Sequence, residues 1–263
     1  MRKILFGLCT VLIMQSLIAQ SDSKCADSCE IKLKEYPSLY QQQAAEYRAL
    51  CYQAFNLAAL RLNEIVKTGA KKLAIITDLD ETILDNSYQQ AELIKKNENY
   101  TDKSWKEWTD KSAATAVPGA VEFLQKAKQK GVTVFYISNR DTGEVKSTMI
   151  NLQKLKLPNA DTAHMIFLFN TSSKEARRQL VMKKYKVVML LGDNLNDFTQ
   201  AFEKKNITDR FAETDKVKNE WGKKFIVLPN PAYGEWENAI YNYERNLTPE
   251  EKETKRREKL KDY

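Results

Sequence analysis

The sequence predicts an α/β protein, in which a parallel sheet with flanking helices carries a mainly helical cap. Three observations lead there. Short continuous apolar runs, each ending in turn residues, read as strands buried on both faces. They alternate with stretches of helical periodicity at the spacing of successive strand–helix–strand units. The polar tract 87–116, rich in Lys, Asn and Trp, is too long for an ordinary connection and predicts an inserted cap.

Taken in order, residues 40–67 carry Ala44, Tyr47, Leu50, Cys51, Ala54, Leu57, Ala58 and Leu62 at a 3.6-residue period, and Gly69 ends the helix. Residues 73–78 form the first apolar run. Pro118 opens a helix that runs to Lys130 before Gly131. A second strand follows at 132–137, then a helix capped by Asp141 or Thr142 and ending near Leu155. A short strand at 165–169 precedes a helix at 174–184 capped by Ser172 and Ser173. Strands at 187–191 and 225–228 complete the set. The tail 248–263 mixes both charges and reads as a solvated helix, not a nucleic-acid arm.

The chain has 263 residues, 43% hydrophobic and 29% charged, the balance of a globular protein with one substantial core. Its formal charge is +7. That modest excess suits an anionic small molecule, a membrane surface or nucleic acid equally. Arg2 and Lys3 precede an interrupted apolar stretch that ends at Ala19, with polar residues beyond it. This is the layout of a secretory signal peptide covering residues 1–19. Residues 20–263 then form one unit, with a core at about 70–84 and 117–230. The cap draws on about 25–69, 85–116 and part of 231–263. Export points to a bacterial periplasm or cell surface. A lipid anchor is not favoured, because Leu8 and Lys24, rather than small residues, precede Cys9 and Cys25. In an exported chain Cys25, Cys29 and Cys51 allow one disulfide and leave one thiol over; Cys51 reads as a buried small hydrophobe on its helix face.

Ligands of open parallel sheets sit outside the carboxyl ends of the strands. Here those ends carry Asp78-Leu79-Asp80-Glu81-Thr82, Ser138-Asn139-Arg140, Asn170 to Lys174, and Gly192-Asp193-Asn194-Leu195-Asn196-Asp197. Carboxylates, hydroxyls, amides and cations are all present, without a histidine. The single histidine, His164, excludes histidine phosphatases and multi-histidine zinc hydrolases. The set suits phosphoryl transfer. A carboxylate nucleophile, Asp78, splits hydrolysis into two displacements. A second acid, Asp80, protonates the leaving alkoxide and then activates water. Ser138, Asn139 and Lys174 meet the phosphoryl oxygens. Mg²⁺, held by Asp78, Asp80 and Asp193, screens the anionic nucleophile from its anionic substrate.

Asp78-x-Asp80-x-Thr82, Ser138, Lys174 and Gly192-Asp193-x3-Asp197 resemble the four motifs of the haloacid dehalogenase (HAD) superfamily. The stretches 77–86 and 188–198 further resemble the paired signatures of class C acid phosphatases, with similarity from about Tyr40 to Trp236. That resemblance implies a Rossmann-like HAD core and an exported, Mg²⁺-dependent phosphomonoesterase whose substrates include nucleoside 5′-monophosphates. Thr82 and Asp197 enter as supporting residues. Class C enzymes hold the leaving group with aromatics, which here implies Tyr233, Trp105 and Tyr88; aryl phosphates fit the same pocket. No nucleic-acid polymer is expected as a partner, a membrane only through a lipid anchor, and a homodimer is one open oligomeric state. The rivals are another HAD chemistry and a non-catalytic surface protein that keeps the fold. Asp80 argues against a dehalogenase, which has no alkoxide to protonate. The intact set of Asp78, Asp80, Lys174 and Asp193 argues against the binding protein.

Overall fold

Why one strand lies at the centre follows from its side chains. A computed structural model describes residues 32–263. In it, the chain begins with helices α1 (Glu35–Gln43) and α2 (Ala45–Val66) and enters strand β1 (Leu73–Thr77), all five residues of which are buried. The insertion that follows comprises β2 (Leu84–Asp85), α3 (Ser87–Lys96), α4 (Asp102–Asp110) and β3 (Thr115–Ala116). The core resumes with α5 (Ala120–Gln129), β4 (Thr133–Asp141), α6 (Val145–Lys154), β5 (Met165–Leu168), α7 (Glu175–Met182) and β6 (Lys186–Gly192). It ends with α8 (Ile207–Lys216), β7 (Phe225–Val227), α9 (Glu235–Ile240) and α10 (Pro249–Lys259).

Among the described residues the main sheet has the order β5-β4-β1-β6-β7, with every neighbouring pair parallel. The chain therefore moves outward from β1 on one side, then returns to build the other. Strand order reverses at β1, and such a reversal opens a crevice at the carboxyl ends of the strands. Side chains of β1 alternate between two cores, as a period of two requires. Leu73 and Ile75 join Val134, Tyr136, Met189 and Leu191 on one face. Ala74 and Ile76 join Phe135, Ile137, Leu190 and Phe225 on the other.

Helix α2 covers the first face through Tyr47, Cys51, Phe55, Ala58 and Leu62. These recur every three or four residues, and burial of each large apolar side chain contributes roughly 1.5–3 kcal/mol. The single helix expected over residues 40–67 is instead two. Ala44 is extended (ψ 124°), which breaks the rod between α1 and α2. The break frees α1 to pack on α3, where Gln41 donates to the Asp85 carboxylate (2.9 Å) and Gln42 to the Ser87 hydroxyl (3.1 Å). Antiparallel pairing of β2 with β3 pinches the insertion at its base. The polar tract is thus a closed excursion of two helices. Lys174 occupies the N-cap of α7 where Ser172 and Ser173 were expected, while the Ser173 hydroxyl accepts from the Glu175 amide at 3.4 Å. Helix α10 buries no residue, in keeping with its mixed charges. Among the described residues no helix is long and apolar enough to cross a membrane. The expected signal peptide, Cys25 and Cys29 lie outside the described residues, while Cys51 is a free, buried thiol.

Candidate active site

The β1 ladder continues one residue past the strand, with the Asp78 amide donating to the Leu191 carbonyl (3.0 Å). The chain then curls back sharply. The Leu79 carbonyl accepts from the amides of Thr82, Ile83 and Leu84, and Glu81 adopts a left-handed φ of 56°. This turn places Asp78 and Asp80 in one cleft of about 1190 Å³. Beside them, β6 ends in Gly192 and Asp193. Asn194 then caps a short 3-10 turn that returns Asp197 toward the strand end. A Cβ on Gly192 would lie 2.4 Å from the Asp197 Cβ, so only glycine admits that fold-back.

Lys174, delivered by the start of α7 and buried, bridges two carboxylates. Its Nζ lies 2.5 Å from Asp78 Oδ1 and 2.6 Å from Asp197 Oδ1. Burial opposes its charge, but Asp197 and Asp78 outweigh that and raise its pKa above the usual lysine value. Burial pushes Asp78 well above the ordinary aspartate range against the pull of Lys174, with Asp197, Asp193 and Asp80 adding to the rise. Asp193 is pushed up to about 7, mainly by burial and then by Asp197. It is steadied by the Thr82 hydroxyl (3.1 Å) and the Asn230 amide (2.8 Å). Carboxylate oxygens of Asp78, Asp193 and Asp197 converge within 4.8 Å of one another. Three carboxylates share one ammonium there, so the donors fit a hard, oxygen-seeking divalent cation.

Asp80 was expected among the metal ligands with Asp78 and Asp193. Its carboxylate is turned to Arg140 (2.7 Å) and Asn86 (2.8 Å), while the fold-back at Gly192 brings the Asp197 carboxylate beside those of Asp78 and Asp193. One expected placement needs correction. Tyr88 was expected in the leaving-group pocket; it is 51% exposed and instead lines a separate cavity of about 460 Å³. The phase of α3 turns Asn86, Ser87, Gln89 and Gln90 toward the cleft and leaves Tyr88 out.

The other expected positions line the cleft, except Thr82, which is buried behind Asp193. Ser138 and Asn139 fall where the register of β4 against β5 shifts, a local irregularity that re-aims side chains. The Ser138 hydroxyl accepts from the Arg140 amide (3.1 Å), and Asn139 Oδ1 accepts from Arg177 (2.5 Å). Trp105 lies on the cleft wall with the Arg140 guanidinium 5.4 Å from its ring centre. Tyr233 also lines the wall and donates its hydroxyl to the buried Glu81 carboxylate, whose pKa burial drives well above normal. Sequence reasoning missed Arg177, Asn86, Glu81 and Asn230 as site residues. Arg177 had a signal, since it lies three residues after Lys174 and shares its helix face. His164 pairs with Asp161 (2.7 Å) and packs on Phe135, outside the cleft.

A doubly flanked parallel sheet, a reversal point at β1, and an acid–lysine–acid cluster beside the inserted helices agree with the phosphoryl-transfer site expected from the sequence. Comparison with known proteins narrows this. A family model for the HAD superfamily, subfamily IIIB (acid phosphatase), matches residues 11–236, and the chain belongs to that family. The class C acid phosphatase from Bacillus anthracis is similar to it at 38% identity, covering 91% of this chain and 99% of that one, with a TM-score of 0.85. The same values hold for that enzyme with tungstate bound. The protein is therefore a phosphomonoesterase whose substrates are small phosphate esters, and HAD phosphatases use a divalent metal.

Proposed function

We propose that this is an exported, Mg²⁺-dependent acid phosphatase that hydrolyses nucleoside 5′-monophosphates and aryl phosphates through an aspartyl-phosphate on Asp78. The observation that carries the reading is the position of Asp78. It lies at the end of the central strand, at the base of the cleft, within 2.5 Å of a buried lysine and beside two further carboxylates. Asp78, Asp193 and Asp197 would hold the ion. Such an ion would supply the positive charge that offsets these carboxylates and the anionic substrate.

Each chain residue then has a defined task. An Asp78 oxygen attacks phosphorus as the ester P–O bond breaks, and that bond's electron pair stays on the leaving oxygen. Asp80 gives this oxygen a proton. In the second half Asp80 takes a proton from water, which attacks phosphorus and releases Asp78. Lys174, Ser138 and Asn139 offer donors to the phosphoryl oxygens, while Lys174 keeps Asp78 oriented through its bond to Asp197. The cleft is far larger than a phosphate needs, and Trp105 and Tyr233 lie on its wall. Stacking on such rings contributes about 1–3 kcal/mol per base, which supports flat leaving groups. The basic and apolar run of residues 1–19 supports export.

Asp78→Asn tests the reading. The variant should fold, bind substrate and lose turnover, and brief incubation of wild type with labelled substrate should leave phosphate on Asp78. Label on Asp80 would sink the assignment. EDTA should abolish activity and Mg²⁺ restore it; full activity in metal-free buffer would remove the metal from the scheme. Mass spectrometry of the exported protein should find an N-terminus near Gln20, without an acyl group on Cys25.

A further inference from the structure

The bulkiest polar investment in the cleft belongs to a residue with no role in the scheme above. Arg140 is 3% exposed, and its guanidinium is fixed on several sides. Nε lies 3.1 Å from Asp80 Oδ1 and 3.2 Å from Oδ2, and Nη2 lies 2.7 Å from Oδ1. Nη1 donates to the Thr148 hydroxyl at 2.9 Å, which ties the group to α6. The Trp105 ring covers one side. Burying a guanidinium costs several kcal/mol before its partners offset it, and a fork held at three nitrogens is a means of orienting a carboxylate.

The orientation is unequal at the two oxygens. Asp80 Oδ1 accepts from Arg140 Nη2, from Arg140 Nε and from Asn86 Nδ2 (2.8 Å). Asn86 is itself held by the buried Trp108 indole N–H (2.8 Å) and by Glu81. Oδ2 has only the longer Nε contact and the Ser138 hydroxyl at 3.5 Å. Oδ1 is crowded by three donors, two of them within 2.8 Å, whereas Oδ2 is held only by two contacts of 3.2 Å and 3.5 Å.

From this asymmetry we infer that Arg140 is the positioning residue for Asp80: it locks Oδ1 so that Oδ2 is the oxygen that exchanges the proton with the ester and with water. The inference rests on the proposed acid–base role of Asp80. Lysine at 140 keeps the charge and loses the fork, so it leaves the acid free to rotate. A leaving group that is a weak acid needs its proton at the moment the bond breaks. A nitrophenolate does not, and kcat/KM includes no step after the alcohol has left.

The test is Arg140→Lys, assayed on glycerol phosphate and on 4-nitrophenyl phosphate. The loss in kcat/KM should be roughly 10²-fold for the glycerol ester and under about 3-fold for the nitrophenyl ester. Inhibition by inorganic phosphate should not change. On an Asp80→Asn background the same substitution should cost nothing further with either ester, because it acts through the missing acid. Equal losses on both esters, weaker phosphate inhibition, or full additivity with Asp80→Asn would each overturn the positioning role. If Asp80→Asn itself loses equally on both esters, the acid–base reading has failed instead. If Arg140→Lys does not fold, Thr148→Val, which removes only the anchor of Nη1, should show a smaller loss with the same leaving-group dependence. The absence of that dependence in Thr148→Val would overturn the proposal equally.

Discussion

Replacing Gly192 by alanine adds one methyl group at the most crowded point of the site. Its Cβ would lie 2.4 Å from Asp197 Cβ and Oδ2 and 2.7 Å from Cγ. Carbon atoms normally approach no closer than about 3.5 Å. The Asp197 Cβ is not the free end of a flexible chain, so the 3-10 turn itself has to move. The glycine is not needed for its dihedral angles, since it is absent from the positive-φ residues. Overpacking of this kind costs about 1–3 kcal/mol, which in a protein of this size lowers Tm by about 2–12 °C. The catalytic effect should be larger. Asp197 accepts from Lys174 (2.6 Å) and from the Asn194 amide (3.1 Å), so its displacement releases the lysine that orients Asp78. A shift near 1 Å costs about 10²-fold in rate. Gly131→Ala is the control. It has a left-handed φ of 75° and nothing within 4 Å, so it should cost about 1–2 kcal/mol of stability and leave kcat/KM unchanged. Thermal unfolding and kcat/KM on 4-nitrophenyl phosphate read both effects. Wild-type activity in a folded Gly192→Ala variant would refute the link between Gly192, Asp197 and Lys174.

Tyr233 supplies a ring to the cleft and a hydroxyl to Glu81, and two variants separate these. Tyr233→Ala should lower kcat/KM for nucleoside monophosphates by about 1–3 kcal/mol, or roughly 5- to 150-fold, with little effect on glycerol phosphate. Tyr233→Phe, which keeps the ring, should retain the preference for nucleotides; losing it would shift the recognition from stacking to the hydroxyl. Burial pushes the Cys51 thiol up to about 11, and it is 0% exposed. Alkylation at neutral pH, followed by peptide mass spectrometry, should therefore leave Cys51 unmodified until denaturant unfolds the protein. Rapid labelling of the native state would show that α2 opens locally.

The sheet was readable in the chain because its signal is local. A strand buried on both faces reads as a near-continuous apolar run, as 73–76 and 187–191 do, and the helices between carry their own period and stops. The strand ends were readable for a related reason. A parallel sheet brings the carboxyl ends of all its strands to one edge, so Asp78, Ser138, Lys174 and Asp193 had to meet once the strands were placed. The break at Ala44 was not legible, because alanine favours helix and only the docking of α1 on α3 rewards a bend there.

The division of labour among the carboxylates belongs to the tertiary structure. Asp80 and Asp197 both stand in motifs with chemistry in them, and residue type alone does not say which of their carboxylates lies beside Asp78 and Asp193. The choice is made by neighbours distant in sequence. Arg140, 60 positions away, draws the Asp80 carboxylate aside, and Lys174 holds Asp197 beside Asp78. Likewise Tyr88 and Tyr233 are both aromatics near the cleft. The phase of α3 turns one outward, while Glu81, 152 positions from Tyr233, fastens the other to the wall. Residue type and strand order follow from short-range preference and topology. Which way a carboxylate or a ring points follows from charges and packing that only the folded chain brings within reach.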